Sequence, residues 1–193
     1  MRALRTLSIV SAAAMAALSA SAAQVPVDYR LDPARSDVQA KVAFFGIASK
    51  TARFPDIQGG ISIDPAEPRR VDMRISIDAR TLRASDSTTR RRLVGEGFFW
   101  ADRYPTIEYR ADRMAIDGPR EGRVGGKLTA RGVTRPLVLK VEFDRPIADI
   151  GGTEPVTIVA RGHIDRTDYA MDDFRSIVGD TVELQIRARM VPD

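Results

Sequence analysis

No cysteine occurs anywhere in this 193-residue chain, and there is one histidine, His163, and one tryptophan, Trp100. The first absence removes disulfides, thiolate catalysis, thiolate metal sites and a lipid anchor on an amino-terminal cysteine. A lone histidine leaves no second ligand for a histidine-based zinc or copper site. No Gly-x-Ser-x-Gly elbow accompanies it, so a Ser-His-Asp arrangement has no nucleophile context. Charge of one sign is also scarce in excess: 30 basic residues stand against 26 acidic ones. The one dense basic run, Arg90-Arg91-Arg92, is too short to track a nucleic acid groove, so no nucleic acid partner is expected.

Long apolar runs are missing after the first residues. No later segment approaches the roughly 20 apolar residues of a membrane-spanning helix. The start itself has the three-part layout of a secretory signal: Arg2 and Arg5, an alanine-rich apolar stretch from Leu7 to Leu18, then Ala20-Ser21-Ala22-Ala23. The expected division is a signal over residues 1–23 and one domain over 24–193, in the periplasm or secreted. The 170 residues that remain suit one well-buried core.

What fills those residues is alternation. Val38, Ala40, Val42 and Phe44 take every second position, as do Val71, Met73, Ile75 and Ile77. The same period runs through Ile61–Ile63, Ile107–Ala111, Val124–Ala130, Leu137–Phe143, Val156–Ile164 and Val182–Met190. Eight candidate strands with one apolar face each, separated by turn chemistry such as Asp117-Gly118-Pro119, predict an all-β sandwich or closed barrel. One stretch breaks the period. Asp86 or Ser87 is placed to cap a short helix ending near Gly95, and the aromatic cluster Phe98-Phe99-Trp100 follows it.

Other constellations carry little chemistry. His163 lies opposite in parity to the apolar face of its strand. Asp165, Asp168, Asp172 and Asp173 lack the spacing of an EF-hand loop. Glu96 and Asp102 are two acids in one loop, a pattern of weak specificity. Gly95-Glu96-Gly97 lacks the third glycine and preceding strand of a dinucleotide fingerprint. No catalytic residue, metal site or required cofactor is expected. An eight-stranded barrel either fills its interior or holds one small ligand. On parity, Phe44, Ile61, Ile75, Ile107, Leu128, Leu139 and Phe143 should face inward, with Phe98 and Phe99 where the helix meets the barrel and Leu93 beneath them.

Taken in order, the chain resembles the YceI-like, polyisoprenoid-binding family of exported lipocalin-like barrels. Tyr29-Arg30-Leu31-Asp32-Pro33 with Ser36 resembles the first-strand motif, and Val42–Gly46, Arg53-Phe54 and Gly59-Gly60 the second block. The most specific stretch is Leu93, Phe98-Phe99, Asp102 and Tyr104-Pro105-Thr106-Ile107. Gly126-Lys127-Leu128-Thr129, Arg131–Pro136, Ile164–Arg166 and Val178-Gly179-Asp180 continue it towards Ile186. Two departures stand out. Arg35 occupies a position where the family commonly has histidine, and the acidic-histidine pairing ahead of Leu93 is absent. The family's polar head-group contacts are therefore not carried over to this chain.

The resemblance implies an eight-stranded antiparallel lipocalin-like barrel with a short helix near one mouth. It also implies an interior that binds a long isoprenoid lipid or quinone, for carriage or storage. Val42, Phe44, Ile61, Ile75, Leu93, Phe98, Phe99, Ile107, Leu128, Leu139 and Phe143 are then the expected ligand-binding set. Transient membrane contact for ligand exchange and a homodimer fit the same picture. The alternatives are an enzyme acting on a bound lipid or pigment through His163 or the acidic loop, and a filled barrel serving as an interaction module.

Overall fold

A computed structural model describes residues 26–64 and 67–193; the expected signal, residues 1–23, lies outside the described residues. Ten strand segments follow one another: β1 (Val27–Leu31), β2 (Asp37–Phe44), β3 (Ala48–Arg53), β4 (Ile57–Ile63), β5 (Arg70–Asp78), β6 (Thr106–Ile116), β7 (Glu121–Ala130), β8 (Val133–Phe143), β9 (Val156–Asp165) and β10 (Val178–Pro192). One helix, α1 (Ser87–Val94), sits between β5 and β6.

The ten segments make an eight-stranded barrel. From β4 through β10 each neighbour pairs antiparallel with the next, and β1 joins β10 to β4, closing the ring. β10 is 15 residues long and carries two partners on one edge, β1 beside Met190–Pro192 and β2 beside Val178–Arg187. A turn at Pro33–Arg35, capped by the Asp32 carboxylate, breaks this lane into its two halves. The next lane is broken in the same way: β4 pairs with β1, and β3 pairs with β2. Thus Val27–Leu31 and Ala48–Arg53 are strands beyond the eight segments expected from alternation.

Alternation dictates what faces inward. On β8, Leu137, Leu139, Val141 and Phe143 are buried, while Val138, Lys140 and Glu142 are exposed. On β6 the pattern slips. Ile107, Tyr109 and Ala111 point in, Asp112 and Arg113 are both exposed, and Met114 points in again. A bulge between Ala111 and Arg113 accounts for it, since one extra residue restores the inward parity.

Tyr109 shows how full the barrel centre is. Its hydroxyl donates to the carbonyl oxygens of Val124 at 3.0 Å and Leu137 at 3.4 Å, and burial pushes its phenol well above the usual range. Its ring crosses β7 at Gly126, where a Cβ would come within 2.9 Å of the ring and 2.3 Å of the Arg110 carbonyl oxygen. Glycine at 126 is what lets the aromatic side chain lie there.

The wall is complete only at the β1 and β4 end. The outer edge of β3 makes one isolated bridge, Arg53 to Arg83, in place of a neighbouring strand. The segment from Ala79 to Tyr104, with α1 in its middle, occupies that side. Leu82, Ala79 and Ala101 anchor it, each 1% exposed or less.

Candidate functional site

Where β3 lacks a neighbour, a cavity of about 320 Å³ opens between α1 and the barrel. Two kinds of wall enclose it. The apolar wall comes from Ala40, Val42 and Phe44 on β2, Val182 on β10, and Phe98 and Phe99 after the helix. Met171, Phe174 and Ile177, ahead of β10, and Val178 at its start complete it. The opposite wall is polar: Lys50 and Thr51 from β3, and Asp86, Thr88, Thr89 and Arg92 from α1 and its cap.

Local sequence explains each wall. On β2, every second residue faces the cavity, so the alternation noted above supplies its apolar floor. α1 begins at Asp86, whose carboxylate accepts from the Thr89 N–H at 2.7 Å, and it ends at Gly95. Phe99 turns back under the helix, its N–H donating to the Leu93 carbonyl at 3.0 Å, and its ring meets Phe54 edge-on at 5.6 Å. Phe98 stacks on Phe174, with ring centroids 6.3 Å apart.

Arg166 holds the segment that carries Phe174. It is 3% exposed and donates to the carbonyl oxygens of Met171, Asp173, Val178 and Gly179. Asp180 Oδ1 lies 3.1 Å from its Nη2 at an angle that makes an ion pair without a hydrogen bond. Such a buried cation is tolerable because each of its three nitrogens finds an acceptor and a carboxylate lies beside it.

Lys50 lies 5.3 Å from the Phe44 ring centre and reaches Asp86 at 3.3 Å, with Ser85 and Thr89 hydroxyls at 3.5 Å. Hydrogen bonds from Thr89 and Ser85, with the helix-start N–H foremost, hold the Asp86 carboxyl well below the usual carboxylate range. Its contribution to stability is therefore complete above the unfolded value near 4 and is lost as pH falls through the lower folded value. Asp86→Ala should lower the melting temperature at pH 7 and narrow the gap to the parent on acidification. An equal difference at pH 7 and pH 2 would contradict that role.

Beside the mouth, the β2–β3 hairpin projects two apolar side chains into solvent: Phe45 is 61% exposed and Ile47 95%. The hairpin is tied to the wall by the Phe45 N–H, which donates to the Ile177 carbonyl at 2.8 Å.

Of the residues expected from sequence to meet a ligand, Val42, Phe44, Leu93, Phe98 and Phe99 line this cavity. Ile61, Ile107, Leu128, Leu139 and Phe143 sit in the packed core, and Ile75 packs partly buried against it. Phe143 also lines a second apolar cavity of about 440 Å³ at the other end of β10, in which no Asp, Glu, Lys or Arg is found among the described lining residues. Sequence reasoning passed over Lys50, Arg92, Met171, Phe174 and Ile177. An aromatic residue inside the acidic stretch Asp165–Asp173 and just past it was the available signal for the last three. His163 is exposed on β9 opposite Glu183, away from the cavity.

Comparison with known proteins agrees with this architecture. A family model described as the YceI-like domain matches residues 29–190. A UPF0312 protein of Shewanella oneidensis is 23% identical over 167 residues, covering 86% of this chain and 83% of the relative. One from Vibrio cholerae is 28% identical over 141 residues, covering 72% and 74%. The crystal structure of Burkholderia cenocepacia BcnA superposes with a TM-score of 0.73 at 21% identity, covering 82% of this chain and 98% of that one. A polyisoprenoid binding domain from Saccharophagus degradans, implicated in plant cell wall breakdown, gives 0.68 at 16% identity, covering 86% and 99%.

Proposed function

Because this chain belongs to the YceI-like domain family, we propose that it binds an isoprenoid-type lipid or quinone in the cavity beneath α1 and carries or stores it outside the cytoplasm. The observation that carries the reading is the cavity itself, an apolar floor with an aromatic lining facing a polar wall. Burying each CH₂ of a ligand there is worth about 0.8 kcal/mol, so a few isoprene units supply useful affinity. A volume of about 320 Å³ is at the lower end of small-molecule pockets. A longer chain therefore needs α1 to lift from β3. The helix suits that motion, since none of its residues is fully buried.

Phe45 and Ile47 are the natural points of contact with a bilayer during exchange, beside the mouth the lipid must pass. A homodimer remains compatible with the same barrel. An enzymatic reading through His163 draws no support from its place on the outer face of β9, and H163A is not expected to affect ligand binding.

Two measurements test the proposal. Organic extraction and mass spectrometry of protein purified from its native host, without added lipid, should release an isoprenoid lipid or quinone. Protein that is empty and also fails to bind such a lipid on addition would leave the filled-barrel reading. Sequencing the same material should find Ala23 or Gln24 at its amino terminus; Met1 there would overturn the export part.

A further inference from the structure

At the end of the barrel away from α1 lies the second cavity, about 440 Å³ in volume. Val27 on β1, Ile63 on β4, Met114 on β6 and Phe143 on β8 form its walls, with Ile147 and Ile150 from the segment between β8 and β9. It is separate from the cavity beneath α1. Further along the same strands Ile61, Tyr109, Leu139 and Val141 are buried in the packed core, and none of them lines either cavity. Hydrogen bonds fix the rim on three sides. The Ile147 N–H donates to the Pro119 carbonyl at 2.7 Å, the Met114 N–H to the Arg69 carbonyl at 2.8 Å, and the Gly152 N–H to the Tyr29 hydroxyl at 3.1 Å. Charged side chains of the rim loops are engaged elsewhere. Asp117 pairs with Arg123 at 2.8 Å and Arg145 with Glu154 at 2.6 Å, and Arg120 donates to the Asp144 carbonyl. Among the described lining residues none carries a charge, and Ile116, 36% exposed, stands at the entrance.

We propose that this cavity is a second binding site, independent of the one beneath α1, for a compact, uncharged, apolar molecule. Volume sets the size: about 440 Å³ is about three times the roughly 150 Å³ apolar void that takes up benzene, which suits a skeleton of about two or three rings. Water is a poor occupant, because each buried molecule needs roughly two to four polar partners and side chains of valine, isoleucine, methionine and phenylalanine supply none. An apolar molecule replaces it without losing hydrogen bonds, and the tied rim means that little must be ordered when it enters. A carboxylate, phosphate or ammonium group would shed its hydration and meet no counter-charge inside. The site therefore takes a neutral skeleton and refuses its charged analogue. It differs in this from the cavity beneath α1, one wall of which is polar.

Titration calorimetry on the full mature protein tests this with two probes of one skeleton, 2-acetonaphthone and 2-naphthoate. The first titrations use Val42→Trp protein, because an indole at that position closes the cavity beneath α1. The ketone should bind as one molecule per protein, and the carboxylate at least about tenfold more weakly. Ile63→Trp, added to that background, sets an indole inside the second cavity and should abolish ketone binding. Ile116→Lys places a cation at the entrance, on an exposed position where the fold loses little. It should weaken the ketone and strengthen the carboxylate, so that the gap narrows or reverses, an exchange that loss of structure does not produce. The same exchange is read in the parent protein, which frees the test from the folding of the Val42→Trp variant. Absence of ketone binding, equal affinity for the two probes, or a preference unchanged by Ile116→Lys overturns the inference. Each of those results leaves the reading of the cavity beneath α1 intact, since lipid extraction tests that reading separately.

Discussion

Val42→Trp is expected to yield protein that carries no lipid and melts close to the parent. Val42 sits at the centre of the cavity floor, paired with Val182 on β10 and Lys50 on β3, and it is only partly buried. An indole there enters open space rather than packed atoms, and tryptophan is well accepted on a strand. It removes the volume a lipid tail needs, so lipid recovered per mole of protein should fall to background. Leu139→Trp is the matching control. Leu139 is 6% exposed and already fills the hollow over Gly162, where a Cβ would come within 2.8 Å of its Cδ2. Overpacking there should cost about 1–3 kcal/mol of stability and spare lipid binding. Reversed outcomes, lipid kept by the first variant and lost by the second without destabilisation, would move the ligand from beneath α1 to the barrel centre.

The largest loss of stability is expected from Gly59→Ala. Gly59 has φ +140°, a conformation closed to L side chains, and lies in the β4–β5 ladder opposite Ile75. A Cβ there would stand 2.0 Å from the Arg74 carbonyl oxygen, a backbone atom held by the sheet. Neither the strain nor the clash can be relieved without parting the two strands, so the cost should be about 3 kcal/mol or more. Urea unfolding of the purified variant measures it, and a midpoint equal to the parent would refute the argument.

Alternation made most of the barrel legible. Leu137–Phe143 and Val182–Met190 could hardly be other than half-buried strands, and Asp86 and Gly95 marked both ends of α1. β3 was missed for a physical reason. Its inward positions hold Lys50 and Ala52, because it borders a cavity with a polar wall instead of a packed core. A strand of that kind has no apolar stripe to detect. Likewise parity says which side chains point inward, but not which interior positions other side chains fill. Leu128 and Leu139 share the inward parity of Val42, yet they sit in the packed core, whereas the gap beside β3 leaves Val42 on a cavity wall. The segment carrying Met171, Phe174 and Ile177 has no period at all. Its place in the wall depends on Arg166 gathering four distant carbonyls, a tertiary event without a local signature.

The seam between β1 and β10 has a bearing on how the molecule comes into being. Tyr29 pairs with Pro192 and Leu31 with Met190, and the Asp193 N–H donates to the Asp28 carbonyl at 3.1 Å. β1 and β2 are among the first described segments to be made, and β10, the partner of both, is the last. Until it arrives, an emerging chain exposes unpaired strand edges, the surfaces on which other chains most readily add. Contacts between strands so far apart in sequence also form slowly, because closing so large a loop costs entropy before any pairing repays it. The barrel is therefore most vulnerable to misassociation in the interval before its last fifteen-residue strand is complete, and a chaperone that shields β1 and β2 during that interval would protect the whole fold.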